Sequence, residues 1–238
     1  MNVSPVPPAA GTPSVGEAAP RSAPRWLILA VLGAVGLSIA FNALVKRTAP
    51  PQEVVSAIPV RSTIEKDITL TERSGQPVKI LDLKGKVVVA AYVYTVCPHG
   101  CAAVIGEMRK LLEKYRSRPD FHLVSMAVLP DHDTPDFLKA YAEGLGLTPA
   151  DPWWFLTGDR ARIWDFMDHQ LRLTPSIPIP EADRLNALDT HDHDLRIVLI
   201  DRLSNIRGYY SVFHPDSTVA AMMVEKLEKD TATLLDSP

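Results

Sequence analysis

Cys97 and Cys101 are the only cysteines in the 238-residue chain, and they stand four apart in Tyr94-Thr95-Val96-Cys97-Pro98-His99-Gly100-Cys101. As thiolates they form a soft, anionic donor pair, able to hold a thiophilic metal or to attack a disulfide. A polar run, Leu188-Asp189-Thr190-His191-Asp192-His193-Asp194, supplies imidazoles that could join them. Two thiolates and one imidazole select Cu(I), with zinc as the main rival. Structural zinc takes four protein ligands, and no fourth is evident. An open three-ligand site suits a metal that is handed on. The candidate ligands are Cys97, Cys101 and His193, with His99 and His191 as auxiliary candidates. His122, His132, His169 and His214 have no evident partner and read as ordinary histidines.

The same two thiols admit a second chemistry. A structural bridge between Cys97 and Cys101 would close so short a loop that it would constrain little of the unfolded chain. A redox-active disulfide is a different matter, because any close dithiol can oxidise. Thiol-disulfide oxidoreductases usually carry two residues between their cysteines and a proline just before the strand that faces them. Here there are three residues, and the facing segment reads Asp194-Leu195-Arg196-Ile197. The missing proline leaves the thiols open to metal. Cys97 and Cys101 are therefore candidates both as ligands and as a reversible disulfide.

Something must hold these groups in place. Residues 86–94 are apolar, β-branched and aromatic, which predicts a buried strand. After the cysteines, Val104, Ile105, Met108, Leu111 and Leu112 recur at helical spacing, predicting a helix from about Ala102 to Tyr115. The thiols then lie at a strand-to-helix junction, where the positive end of the helix dipole favours an anion. Further strands are predicted over Phe121–Leu129 and Leu195–Ile200, the latter paired with Arg207–Ser211. Ile68–Thr71 and Val78–Ile80 flank a hairpin turn. Helices are predicted over Thr134–Leu145, Asp159–Leu171 and Ser217–Leu235. This order implies an α/β, thioredoxin-like domain: a central mixed sheet with helices on both faces.

The net charge of −3 and scattered basic residues give no footprint for nucleic acid. The block Trp26–Val45 carries no charge, and its 20 residues span a hydrocarbon core of about 30 Å. It is longer than a signal-peptide core, lacks a clean cleavage site and is apolar on every face, which predicts one uncleaved transmembrane helix. The expected organisation is a disordered Pro/Ala-rich tail (1–24), the anchor (25–46), a linker (47–57) and the folded domain (58–235). Basic residues flank both ends of the anchor, so charge barely orients it. A short tail inside and a large domain outside suit a single-pass protein.

The chain resembles the Sco/SenC family, thioredoxin-fold copper proteins that serve cytochrome c oxidase assembly. Tyr94-Thr95-Val96-Cys97-Pro98-His99-Gly100-Cys101 is similar to the family's Tyr-Thr-x-Cys-Pro-x-x-Cys. The segment from Val128 to Tyr141, containing Asp133-Thr134-Pro135, looks like the family's Val-Asp-Pro-x-x-Asp-Thr-Pro helix start. Leu156-Thr157-Gly158 and the pairing of Asp192-His193 with Val198-Leu199-Ile200-Asp201 also match. The resemblance implies that Cys97, Cys101 and His193 bind copper, as Cu(I) or Cu(II). It implies as partners copper donor proteins and the copper-site subunit of cytochrome c oxidase. It also implies an anchor in the cytoplasmic (inner) membrane with the domain facing the periplasm or cell exterior. A reductase of a client's copper-site cysteines, or a redox or copper sensor, is the alternative. The chain departs from the family pattern at Ala102, Leu129 and Asn205, and in a Pro-rich insert over 173–180.

Overall fold

The computed structural model describes residues 58–237 and, within the apolar block, Ala34, Gly36, Leu37, Ser38 and Phe41, which are helical. The tail, the linker and the rest of the predicted anchor lie outside the described residues. Among the described residues no helix is long and apolar enough to cross a membrane.

Among the described residues are ten strands: β1 (Ser62–Thr63), β2 (Thr69–Glu72), β3 (Pro77–Lys79), β4 (Val87–Val93), β5 (Phe121–Ala127), β6 (Trp153–Thr157), β7 (Ile177–Pro178), β8 (His191–Asp192), β9 (Ile197–Ile200) and β10 (Asn205–Tyr210). Among the described residues from 58 onward four α-helices accompany them: α1 (Cys101–Tyr115), α2 (Pro135–Gly144), α3 (Arg160–His169) and α4 (Ser217–Asp236). Eight strands form one sheet in the order β1-β10-β9-β4-β5-β6-β2-β3, and β7 and β8 form a separate small pair.

β4 is central because nothing in it needs water. All seven of its residues are buried, and so are all seven of β5, which runs parallel to it from Val87 opposite Phe121 to Val93 opposite Ala127. A strand buried on both faces reads as a continuous apolar run. Its alternation feeds two core layers. Val87, Val89, Ala91 and Val93 pack with apolar residues of α1, α2 and α4. Val88, Ala90, Tyr92 and Tyr94 pack with Ile163, Phe166 and Met167 of α3. On the other side β9 lies antiparallel to β4, with Val88 opposite Ile200. The sheet is mixed and has helices on both faces, the thioredoxin-like arrangement expected from the element order.

One central element differs from the sequence reading. β6, between α2 and α3, pairs parallel with β5 (Leu123 opposite Trp153) and antiparallel with β2. The sequence reading placed no strand there. Its five residues include Trp153 and Phe155, both fully buried. The Pro-rich insert is also not featureless: its Ile177 and Pro178 pair with Asp192 and His191.

Candidate metal centre

The sheet delivers the two halves of the centre to one edge. β4 ends at Val93, and the chain turns through Tyr94–Gly100 before α1 begins at Cys101 itself. The Cys97 N–H donates to the Tyr94 carbonyl (3.0 Å), so the loop folds back tightly. Gly100 caps the helix without a side-chain partner, and a Cβ there would fall 2.5 Å from the Phe213 ring and 2.7 Å from Leu195. Only glycine leaves room for that packing. Val104, Ile105, Met108, Leu111 and Leu112 fix α1 against the sheet. Cys101 is buried and Cys97 half-buried. His193 arrives in the segment between β8 and β9, just ahead of the strand that pairs with β4 on its other side.

The Cys101 Sγ lies 3.1 Å from His193 Nε2. One ligand atom each from Cys97, Cys101 and His193 lies within 4.8 Å of the others, the spacing that lets three side chains share one ion. The other ring nitrogen of His193, Nδ1, is 3.2 Å from the Asp194 carbonyl. A carbonyl only accepts, so Nδ1 carries the proton and Nε2 presents its lone pair to the sulfurs. Tyr92 and Tyr94 flank the imidazole, with ring centroids 5.8 and 5.7 Å away.

The thiols share a proton unequally. The hydrogen bond from the Cys101 thiol holds the Cys97 thiol far below its ordinary pKa against the opposing effect of burial. The backbone N–H groups of Cys101 and His99 add to this; the His99 N–H is 3.4 Å from Cys97 Sγ. Cys101 is pushed far up, first by its bond to Cys97, then by burial and the Cys97 charge. The half-buried Cys97 thus favours the thiolate form and the buried Cys101 the thiol form. A thiolate, a second sulfur that can lose its proton and an oriented imidazole fit a soft ion such as Cu(I).

The auxiliary candidates are turned elsewhere. The His99 Nε2 faces the fully buried Asp189 carboxylate, 3.0 and 3.1 Å from its two oxygens. The His191 Nδ1 is 2.9 Å from Thr190 Oγ1, and its ring meets the Trp164 face edge-on at 5.0 Å. Neither belongs to the donor group. Three histidines read as partnerless do have partners. His132 Nδ1 is 3.0 Å from Asp133 Oδ1, His169 Nδ1 is 3.2 Å from an Asp165 oxygen, and His214 Nδ1 accepts the Asp216 N–H at 3.0 Å.

Several supporting residues escaped the sequence reading. The Thr95 hydroxyl, two residues before Cys97, donates to the buried Asp133 carboxylate at 2.5 Å. The Tyr94 hydroxyl donates to the Leu188 carbonyl and accepts the Thr190 N–H at 3.1 Å. Each bond ties the cysteine loop to a distant segment. The acidic spacing of Asp189, Asp192 and Asp194 was visible in the sequence, but which carboxylate turns inward was not.

A family model described as SCO1/SenC matches residues 57–228. The "SCO1 protein homolog" of Bacillus subtilis (strain 168) is 33% identical over 91 residues, 38% of this chain and 47% of that protein. The match thus spans less than half the length of that relative. Among solved structures, BsSco is described as a member of the Sco family of cytochrome c oxidase assembly proteins with a disulfide switch. It is 22% identical with a TM-score of 0.55, over 74% of this chain and 97% of that one. Bradyrhizobium japonicum ScoI, with copper bound, is 24% identical with a TM-score of 0.50, over 67% and 97%. At these identities the two structures carry the fold.

Proposed function

This chain belongs to the SCO1/SenC family, and from that premise we propose that it is a membrane-anchored copper chaperone acting on the binuclear copper site of cytochrome c oxidase. Cys97, Cys101 and His193 would hold the ion. The observation that carries this reading is the donor set itself: two sulfurs and an imidazole nitrogen within 4.8 Å. Copper is cargo here, and the half-buried Cys97 gives a receiving ligand a point of attack. The copper bound in ScoI and the assembly role stated for BsSco support the same reading. Partners on this reading are copper donor proteins and the copper-site subunit of the oxidase. The uncharged Trp26–Val45 block would anchor the protein once in the cytoplasmic membrane, with the domain facing the periplasm or cell exterior.

The shared proton between Cys97 and Cys101 favours a second reading, a reductase of client copper-site cysteines. There the dithiol gives up two electrons and two protons to a client disulfide and becomes a disulfide itself. Metal uptake and oxidation then compete for the same sulfurs. A redox or copper sensor would use the same competition.

The test is copper stoichiometry of the reduced full-length chain in detergent. One copper per chain is expected, and none in the Cys97→Ser, Cys101→Ser double variant. Full loading of that double variant would overturn the assignment. Oxidase activity in cells carrying His193→Ala separates the two readings: normal activity at normal protein level promotes the reductase. Protease added to intact spheroplasts should remove the domain, and protection of the domain would reverse the orientation.

A further inference from the structure

We propose that Asp194 and Arg196 form a clamp that positions His193, a role belonging to the turn that enters β9 rather than to the donor set. The Asp194 carboxylate is buried and accepts from four donors. It accepts the Thr174 N–H at 2.7 Å and the Arg196 N–H at 2.9 Å. The Arg196 guanidinium reaches it through Nε (3.0 Å to each oxygen) and Nη2 (2.5 Å). Such a fork is geometrically specific as well as strong. Arg196 is itself held, with its guanidinium 5.0 Å over the Tyr209 ring.

Two consequences follow from what these bonds connect. The Asp194 carbonyl is the acceptor that fixes the His193 ring, so anchoring residue 194 fixes both the tautomer and the aim of Nε2. The Thr174 bond ties that same residue to the start of the Pro-rich insert, beyond the end of α3. There Arg172 sits at φ 56°, a left-handed conformation that a non-glycine residue keeps only when its surroundings impose it. The clamp thus closes the base of the whole 174–194 excursion beside the metal centre. Asp194 and Arg196 touch no donor atom of the thiols; they act through His193.

The inference rests on the copper reading only for its metal readout. Ring-nitrogen NMR of metal-free full-length protein in detergent should show one fixed His193 tautomer with Nδ1 protonated. Asp194→Ala should replace it with averaged tautomers. Cu(II) affinity, measured by competition, should fall about 10- to 100-fold, the range for second-layer support of a ligand, while Cu(I) affinity changes only a few-fold because both sulfurs remain. Arg196→Lys should recover part of the fixed tautomer. If Asp194→Ala does not fold, Arg196→Gln carries the same expectations. Unchanged His193 resonances in a folded Asp194→Ala or Arg196→Gln protein overturn the clamp. Wild-type protein that shows the fixed tautomer but takes up no copper overturns the copper reading and leaves the clamp standing.

Discussion

His193 and His122 are buried almost equally, at 9% and 7% exposed, yet one sits at a donor site and the other in packing. His193 has both nitrogens engaged, Nδ1 at the Asp194 carbonyl and Nε2 at the Cys101 sulfur. Among the described residues neither nitrogen of His122 has a hydrogen-bond partner, and its ring meets Trp154 edge-on at 4.7 Å. Burial therefore does not make a histidine a ligand. What makes one is a second contact that fixes the ring while leaving the other nitrogen aimed at a metal.

The contrast breaks most sharply at the metal. His193→Ala should lower Cu(II) affinity by at least about 100-fold, or about 2.7 kcal/mol, and alter the copper absorption spectrum. His122→Leu should change neither. Equal losses in the two variants, read by competition titration, would erase the distinction.

Acid sharpens it next. Burial first, and then the charges of Lys86 and Arg73, lower the His122 pKa from 6.5 to about 3. Between those values the unfolded chain binds a proton that the folded chain refuses, so stability is lost as pH falls below 6.5. The loss should be about 2 kcal/mol between pH 6.5 and pH 5, at about 1.4 kcal/mol per pH unit. His122→Leu should remove that share of the slope in denaturant melts of the metal-free protein. An identical slope in wild type and variant would show that His122 is protonated where it lies.

The smallest effect concerns the loop between the cysteines. Gly100→Ala must displace the Phe213 ring, which is partly exposed and can move. A stability loss of about 1 kcal/mol is expected, together with slower copper uptake as the α1 start shifts. A neutral melt with unchanged uptake would show that Phe213 packs there without constraining the thiols.

The sequence was most legible where one physical signal dominates. β4 and β5 follow from uninterrupted apolar runs, and α1 from its spaced apolar face ending at Tyr115. The Thr134 hydroxyl accepts the Phe137 N–H, so the helix start at Pro135 was readable as a capped turn. β6 was missed because five residues between two helices leave little room for periodicity to show. Its identity as a strand comes from the edges of β5 and β2, which are tertiary facts. The candidate donors Cys97, Cys101 and His193 were named from residue type and position, and the structure brings them together. Their supports were not readable: Asp133, before the Pro135 helix, and Asp189 and Asp194, in the polar 188–194 run, look like ordinary loop carboxylates, and each turns inward for a distant partner, Thr95, His99 or Thr174.

Cys101 and His193 meet across 92 residues of chain. A ribosome adding about 5–20 residues per second takes roughly 5–20 s to travel from one to the other. Through that interval a growing chain carries both thiols without their imidazole, and without the strand that will bring it. The complete donor set therefore comes into being only when β9 docks beside β4, late in the birth of the molecule. An ion that needs all three donors recognises a finished domain and passes over an unfinished one. Once bound, it holds that finished state by mass action.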